Sequence, residues 1–224
     1  TVLTSPHRGA AAFDAVQPFA IERVREPVLL PHPSMVSRVR DLAARTGAEL
    51  IVLDPAVPLG LIGPRLGVPY AVVLHGAEVT VPGRLPVTRP LLSRVLRGAS
   101  IVISAGEYAA MEAERAARCP LPVKVIPPGV DVERFRPITP LERATARARY
   151  GLRPDHEVVV AVSRLVPRKG FDTLIRAAAR LAPTRPNLRV LIAGSGRDER
   201  RLRRLVTETG APVSLLGRVP DADL

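Results

Sequence analysis

Short runs of β-branched and aliphatic residues alternate along this chain with longer stretches of helical period. That alternation restricts the fold to α/β, built from βαβ units around mainly parallel sheets. Strands are predicted at Val2–Thr4, Val28–Leu30, Leu50–Leu53, Tyr70–Leu74, Ile101–Ser104, Val123–Ile126, Val158–Val162, Arg189–Ala193 and Val213–Leu216. Helices are predicted at Ser34–Arg45, Pro90–Arg97, Glu107–Arg118, Pro140–Tyr150, Phe171–Leu181 and Asp198–Glu208, with a poorly formed helix in the proline-rich and glycine-rich segment Pro55–Pro64. Thr139-Pro140-Leu141-Glu142 carries a full helix-start signal: a capping hydroxyl, proline at the first helical position and a glutamate placed to reach back. The breakers just before it, from Pro127 to Thr139, mark a linker. Two α/β domains follow from this reading, 1–130 and 131–224. Both are expected to be incomplete, the chain beginning directly on a strand and ending just after the third strand of the second domain.

In such sheets ligands meet the carboxyl ends of the strands. After the predicted strand at Val158 stands Ser163-Arg164-Leu165-Val166-Pro167-Arg168-Lys169-Gly170, with Arg164 and Lys169 five residues apart. Of 33 basic residues only Lys124 and Lys169 are lysines, so a compact ammonium at position 169 is a departure from the chain's habit. The octapeptide alone is either a solvated basic loop or a phosphate site. After the strand at Tyr70 stands His75-Gly76-Ala77-Glu78, an imidazole at the sheet rim beside a glycine that lets a ligand approach the backbone. It is either structural or functional. Gly194-Ser195-Gly196 lies between strand and helix, but Glu199 occupies the place of a third glycine, so a tight turn is favoured over a dinucleotide fingerprint.

Charge and composition exclude several classes. The net charge of +12 is uneven, about +3 over residues 1–135 and +9 over 136–224, and much of the surplus lies on helical patterns such as Arg197–Leu205, where Leu202 and Leu205 mark the buried side. Aromatic residues make up only 3% of the chain, too few for stacking platforms, and no nucleic-acid partner is expected. A single cysteine, Cys119, rules out an internal disulfide framework, and His7, His32, His75 and His156 have no metal-ligand spacing, so no metal is expected. No apolar stretch reaches the ~20 residues of a membrane span, and no signal-peptide pattern opens the chain.

Five motifs occur in order: His75-Gly76-x-Glu78; Val125-Ile126-Pro127-Pro128-Gly129-Val130-Asp131 with Phe135-x-Pro137; the Ser163–Gly170 octapeptide; Ile192-Ala193-Gly194-Ser195-Gly196; and Leu216-Gly217-x-Val219-Pro220 with Leu224. Together they resemble the retaining glycosyltransferases of family four, and the segment Leu74–Pro86 looks most like their phosphatidylinositol mannosyltransferases. The resemblance implies a GT-B fold of two Rossmann-like domains, with the acceptor chiefly on the first and a nucleotide-sugar donor chiefly on the second. It makes Arg164 and Lys169 the holders of the donor diphosphate in place of a metal. It makes His75 the contact to the transferred sugar, puts Gly76 among the donor-binding residues, and places Val219 and Asp221 in the loop around the nucleotide base. It also implies a hexosyl transfer, with mannose from GDP-mannose, to a lipid or polyol acceptor, no bound cofactor, and a cytoplasmic protein in peripheral contact with the inner face of the plasma membrane. The family's first glycine-rich loop and its paired glutamates are not found in this sequence, so this fragment is expected to be inactive. A nucleotide-dependent oxidoreductase or epimerase, and a non-catalytic binding domain, are the competing readings.

Overall fold

Every strand pairing among the described residues is parallel, as the alternation of short and long segments requires. The computed structural model describes residues 1–220. The chain divides into two compact units, Thr1–Asp131 and Val132–Leu224. The first runs β1 (Val2–Thr4), α1 (Ala10–Asp14), β2 (Ile21–Arg23), α2 (Pro33–Thr46), β3 (Ile51–Leu53), a 3₁₀ helix (Leu59–Arg65), β4 (Tyr70–Leu74), α3 (Ala77–Arg84), α4 (Arg89–Gly98), β5 (Ile101–Ser104), α5 (Glu107–Ala117) and β6 (Val123–Val125). The second runs α6 (Pro140–Arg149), β7 (Glu157–Val162), a 3₁₀ turn (Pro167–Lys169), α7 (Phe171–Leu181), β8 (Leu188–Ala193), α8 (Glu199–Thr209) and β9 (Val213–Gly217).

In the first unit β1 pairs with β2, while β3, β4, β5 and β6 form a separate sheet in that order. Its central strands bury an apolar face under helices: Val72, Leu74 and Val102 pack with Val79 of α3, Leu92, Val95 and Leu96 of α4, and Ala113 of α5. Each of the larger buried aliphatics contributes on the order of 1.5–3 kcal/mol relative to exposure. Tyr70 begins β4 with its hydroxyl donating to the Val95 carbonyl at 2.7 Å. A Cβ on Gly63 would fall 2.6 Å from the Tyr70 ring, and one on Gly98 would fall 2.5 Å from its hydroxyl, so these two glycines make the room for the ring.

In the second unit β7, β8 and β9 lie in sequence order. Phe171, Ile175 and Ala178 recur at helical spacing on α7 and close over Val190 and Ile192 of β8, with Leu202 and Leu205 of α8 completing the cluster. The opposite side of β7 is open: Val160 and Val162 are 61% and 54% exposed. The helix start read at Thr139 forms as a complete capping box, Thr139 accepting from the Glu142 N–H and Glu142 accepting from the Thr139 N–H at 2.7 Å. The Arg136 guanidinium, and then Thr139, hold the Glu142 carboxyl down to about 2.

The predicted strand at Val28–Leu30 does not form. Pro27 and Pro31 bracket it and remove donors, Val28 and Leu30 are both more than half exposed, and the His32 N–H closes a turn onto the Leu30 carbonyl. Ile21–Arg23 takes the place beside β1 instead, in register Val2 to Ile21. The segment Pro55–Pro64 yields the 3₁₀ helix at Leu59–Arg65, and two helices, α1 and α3, appear where none was predicted.

Candidate functional site

The carboxyl edge of the four-stranded sheet in the first unit carries His75. Its surroundings begin with Gly76, whose φ of 133° is a conformation that side chains other than glycine's rarely allow. The chain turns there from β4 into α3. Glu78, in the first turn of α3, folds its carboxylate back to accept the backbone N–H groups of His75 and of Gly76, the latter at 2.8 Å. A carboxylate at a helix start is favourable, and here it also fixes the direction of the His75 backbone. The His75 ring meets Asp54, the first residue after β3, with Nε2 at 3.0 and 3.2 Å from the two carboxylate oxygens. A ring whose Nε2–H donates to Asp54 has its other nitrogen, Nδ1, left for a further hydrogen bond. Both side chains are more than half exposed, so the pair contributes orientation more than stability. Sequence reasoning missed Asp54. Its one signal was an acidic residue directly at the end of a predicted strand.

The second unit builds its carboxyl edge from three loops. The loop after β7 carries Arg164 and Lys169, both exposed, and neither makes a hydrogen bond or ion pair with another described side chain. Their backbone, by contrast, is held firmly. Leu165 between them is buried, Ser163 N–H donates to the Ala193 carbonyl, Leu165 N–H to Ser195, and Asp198 N–H to the Leu165 carbonyl. The Gly194 N–H reaches on to the Gly217 carbonyl at 2.7 Å, tying in the loop after β9. The two glycines of Gly194-Ser195-Gly196 are what permits this contact. A Cβ on Gly194 would lie 1.9 Å from the Ser163 carbonyl oxygen, and one on Gly196 would lie 2.2 Å from that of Leu165. The space above the glycines is therefore filled by the chain's own backbone, as expected of a tight turn and not of a pyrophosphate cradle. Asp198, buried at the start of α8, receives Arg201 through two bonds of 2.7 and 2.8 Å, and Arg201 also reaches Asp172 on α7, which secures the helix starts behind these loops.

Val219 follows β9 on the same edge and lines an open cavity of about 890 Å³ together with Val160, Val162 and Leu216. Asp221, predicted to share its loop, lies outside the described residues. Arg164, Lys169 and Val219 thus share one unit, while His75 and Gly76 belong to the other. Among the described residues no three His, Cys, Asp or Glu side chains converge to hold a metal, and no helix is long and apolar enough to cross a membrane.

His156, which also borders this cavity, is a structural histidine. It is buried, its Nδ1 accepts the Arg153 N–H at 3.1 Å, and its carbonyl accepts from Arg147 at 3.0 Å. Burial, then the positive charges of Arg189 and Arg153, depress its pKa below the ordinary 6.5. The folded state thus resists a proton that the unfolded chain accepts, so stability falls as pH drops below 6.5 and is unaffected well above it. Urea midpoints measured from about pH 7.5 down to about pH 5, roughly the range of histidine titration, should fall on acidification, and His156→Asn should remove part of that fall. An identical pH profile in the variant would contradict this assignment.

Comparison with known proteins gives the lineage. Residues 1–134 match the family described as Glycosyltransferase Family 4, and residues 142–224 match that described as Glycosyl transferases group 1. The GDP-mannose-dependent alpha-(1-6)-phosphatidylinositol monomannoside mannosyltransferase of Mycolicibacterium smegmatis is 36% identical over 217 residues, covering 94% of this chain and 56% of that protein. The GDP-mannose-dependent monoacylated alpha-(1-6)-phosphatidylinositol monomannoside mannosyltransferase of Corynebacterium glutamicum is 31% identical, covering 96% and 57%. This chain therefore spans a little over half the length of these relatives. Among solved structures, Anabaena HepE in complex with UDP superposes with a TM-score of 0.74 at 21% identity, over 91% of this chain and 57% of that one, which places the fold in the GT-B class. With its first 134 residues matched throughout to that family, the chain belongs to glycosyltransferase family 4.

Proposed function

We propose that the protein containing this chain transfers a mannosyl group from GDP-mannose to a phosphatidylinositol-mannoside-like lipid, with retention of anomeric configuration and without a metal. The observation that carries the reading is the loop after β7, where two exposed cations without side-chain partners among the described residues stand on a backbone clamped by the Gly194–Gly196 turn. A loop held in this way keeps Arg164 and Lys169 in position before the ligand arrives. Their charge would act on the diphosphate as it departs, an effect that grows with the negative charge developing on the leaving group. Arg164 would bind phosphate oxygens as a planar fork and Lys169 as a point charge. The names of the two mannosyltransferase relatives support the donor and the class of acceptor.

In the first unit, Asp54 holds the His75 ring through Nε2, which would leave Nδ1 for a sugar hydroxyl. That suits contact with the transferred sugar. Gly76 leaves the backbone accessible beside it, while Val219 and Asp221 would border the guanine.

A panel of labelled nucleotide sugars offered to the whole protein with phosphatidylinositol monomannoside tests this. Transfer from GDP-mannose that persists in the presence of a chelator is expected. Preference for UDP-glucose, or for a soluble polyol over the lipid, would contradict the assigned specificity. Loss of transfer on chelation would contradict the charge role given to the two side chains.

A further inference from the structure

The contact between Asp54 and His75 adds little to the stability of the fold. The two side chains are 54% and 56% exposed, and a pair so open to water gains little from its charge while having to hold two side chains still. The Asp54 backbone, by contrast, is set in well-packed chain. Leu53 before it and Ala56 after it are buried, and the Gly60 N–H closes onto the Pro55 carbonyl at 3.2 Å. The parallel register of β3 on β4, Leu53 to Val72, brings the end of one strand beside the end of the other. The carboxylate is thus presented to the imidazole from a fixed base.

The main chain of His75 is held separately. Glu78 accepts its N–H and that of Gly76, while the Gly76 carbonyl accepts the N–H groups of Val79 and Thr80 at 3.1 and 2.9 Å. With the turn into α3 fixed in this way, what remains to the histidine is rotation about χ1 and χ2. The contacts from Nε2 to both oxygens of Asp54 restrain both rotations. Restraining an exposed ring costs side-chain entropy that the fold does not recover, so the restraint serves a ligand.

We propose that Asp54 is a positioning residue for the transfer, which acts through His75 by holding the imidazole in the orientation that meets the sugar. The proposal rests on the reading of His75 as a sugar contact. A ring released from Asp54 still leaves room for the donor, but it is seldom in place when the bond to the diphosphate breaks. The loss therefore falls on the rate of transfer more than on binding.

The test is a double-substitution cycle in the whole protein, with kcat and KM measured on whichever nucleotide sugar the donor panel identifies. Asp54→Ala is expected to lower kcat by about ten-fold to a hundred-fold while KM for the donor stays within about three-fold. Asp54→Asn, whose amide oxygen still accepts from Nε2, should recover at least about three-fold of that loss. In a His75→Ala background, Asp54→Ala should lower kcat by less than about two-fold further, because the ring it positions is gone. The Tm of Asp54→Ala should stay within about 2 °C of the parent. Parental kcat in Asp54→Ala, no recovery with asparagine, an undiminished loss in the His75→Ala background, or a fall in kcat that accompanies a fall in Tm would overturn the proposal. A panel that identifies a donor other than GDP-mannose would instead overturn the assigned specificity, and the cycle would be measured on that donor, so the two readings fail separately.

Discussion

Lys169→Ala in the whole protein is expected to slow sugar transfer by about two to three orders of magnitude, with most of the loss in kcat, because the ammonium acts on charge that develops only as the diphosphate leaves. Arg164→Ala should cost a similar factor. Arg164→Lys should recover little of it, since a lysine cannot reproduce the planar two-pronged contact of a guanidinium. Neither side chain is buried or joined to another described side chain, so the unfolding midpoint should move by less than about 0.5 kcal/mol equivalent. The combination of intact folding and lost transfer distinguishes a phosphate-binding pair from a basic surface loop. A Lys169→Ala enzyme with parental kcat would remove the pair's assigned role.

The second large effect concerns residues that touch no ligand in this account. Gly194→Ala would drive a methyl group to 1.9 Å from the Ser163 carbonyl oxygen at a residue whose φ is already 136°, and Gly196→Ala would place one 2.2 Å from the Leu165 oxygen. The obstacle is backbone in both cases, so relief requires the Arg164 loop to separate from the β8 turn. We expect each substitution to cost about 3 kcal/mol or more, seen as a fall in Tm of more than roughly 10 °C. Ser195→Ala, between them, should be nearly neutral because its side chain is exposed and only its backbone carbonyl is used. Thermal denaturation of the three variants gives the comparison. Equal stability of Gly196→Ala and Ser195→Ala would mean that the two loops are not in the contact described.

The contrast between those glycines and the cations they support shows what could be read directly from the sequence. Tyr70–Leu74, Ile101–Ser104 and Phe171–Leu181 were legible to the residue, since each has a clean apolar run or a clean helical period and a breaker at its end. The position of Arg164 and Lys169 after a strand was legible for the same reason. The helix α3 was not, because Val79, Thr80, Val81, Pro82 and Gly83 are poor helix formers; it is held by the Glu78 cap and by Val79 packed into the core. The strand β2 was displaced in the reading by Val28–Leu30, whose aliphatic residues look more strand-like than Ile21-Glu22-Arg23 but sit between prolines. Asp54 lies 21 residues from His75, and only the parallel pairing of β3 with β4 brings them together. The role of Gly-Ser-Gly was likewise hidden: the sequence revealed a turn, while its purpose depends on which backbone lies across it.

The central claim is that Arg164 and Lys169 grip the diphosphate of the donor. Calorimetric titration of the whole protein with GDP and with guanosine, for the parent and for Lys169→Ala, tests it most directly. The account predicts that the variant binds GDP at least about ten-fold more weakly while its affinity for guanosine is unchanged, since only GDP carries the charges that the ammonium meets. Undiminished GDP affinity, or an equal loss for both ligands, would contradict it.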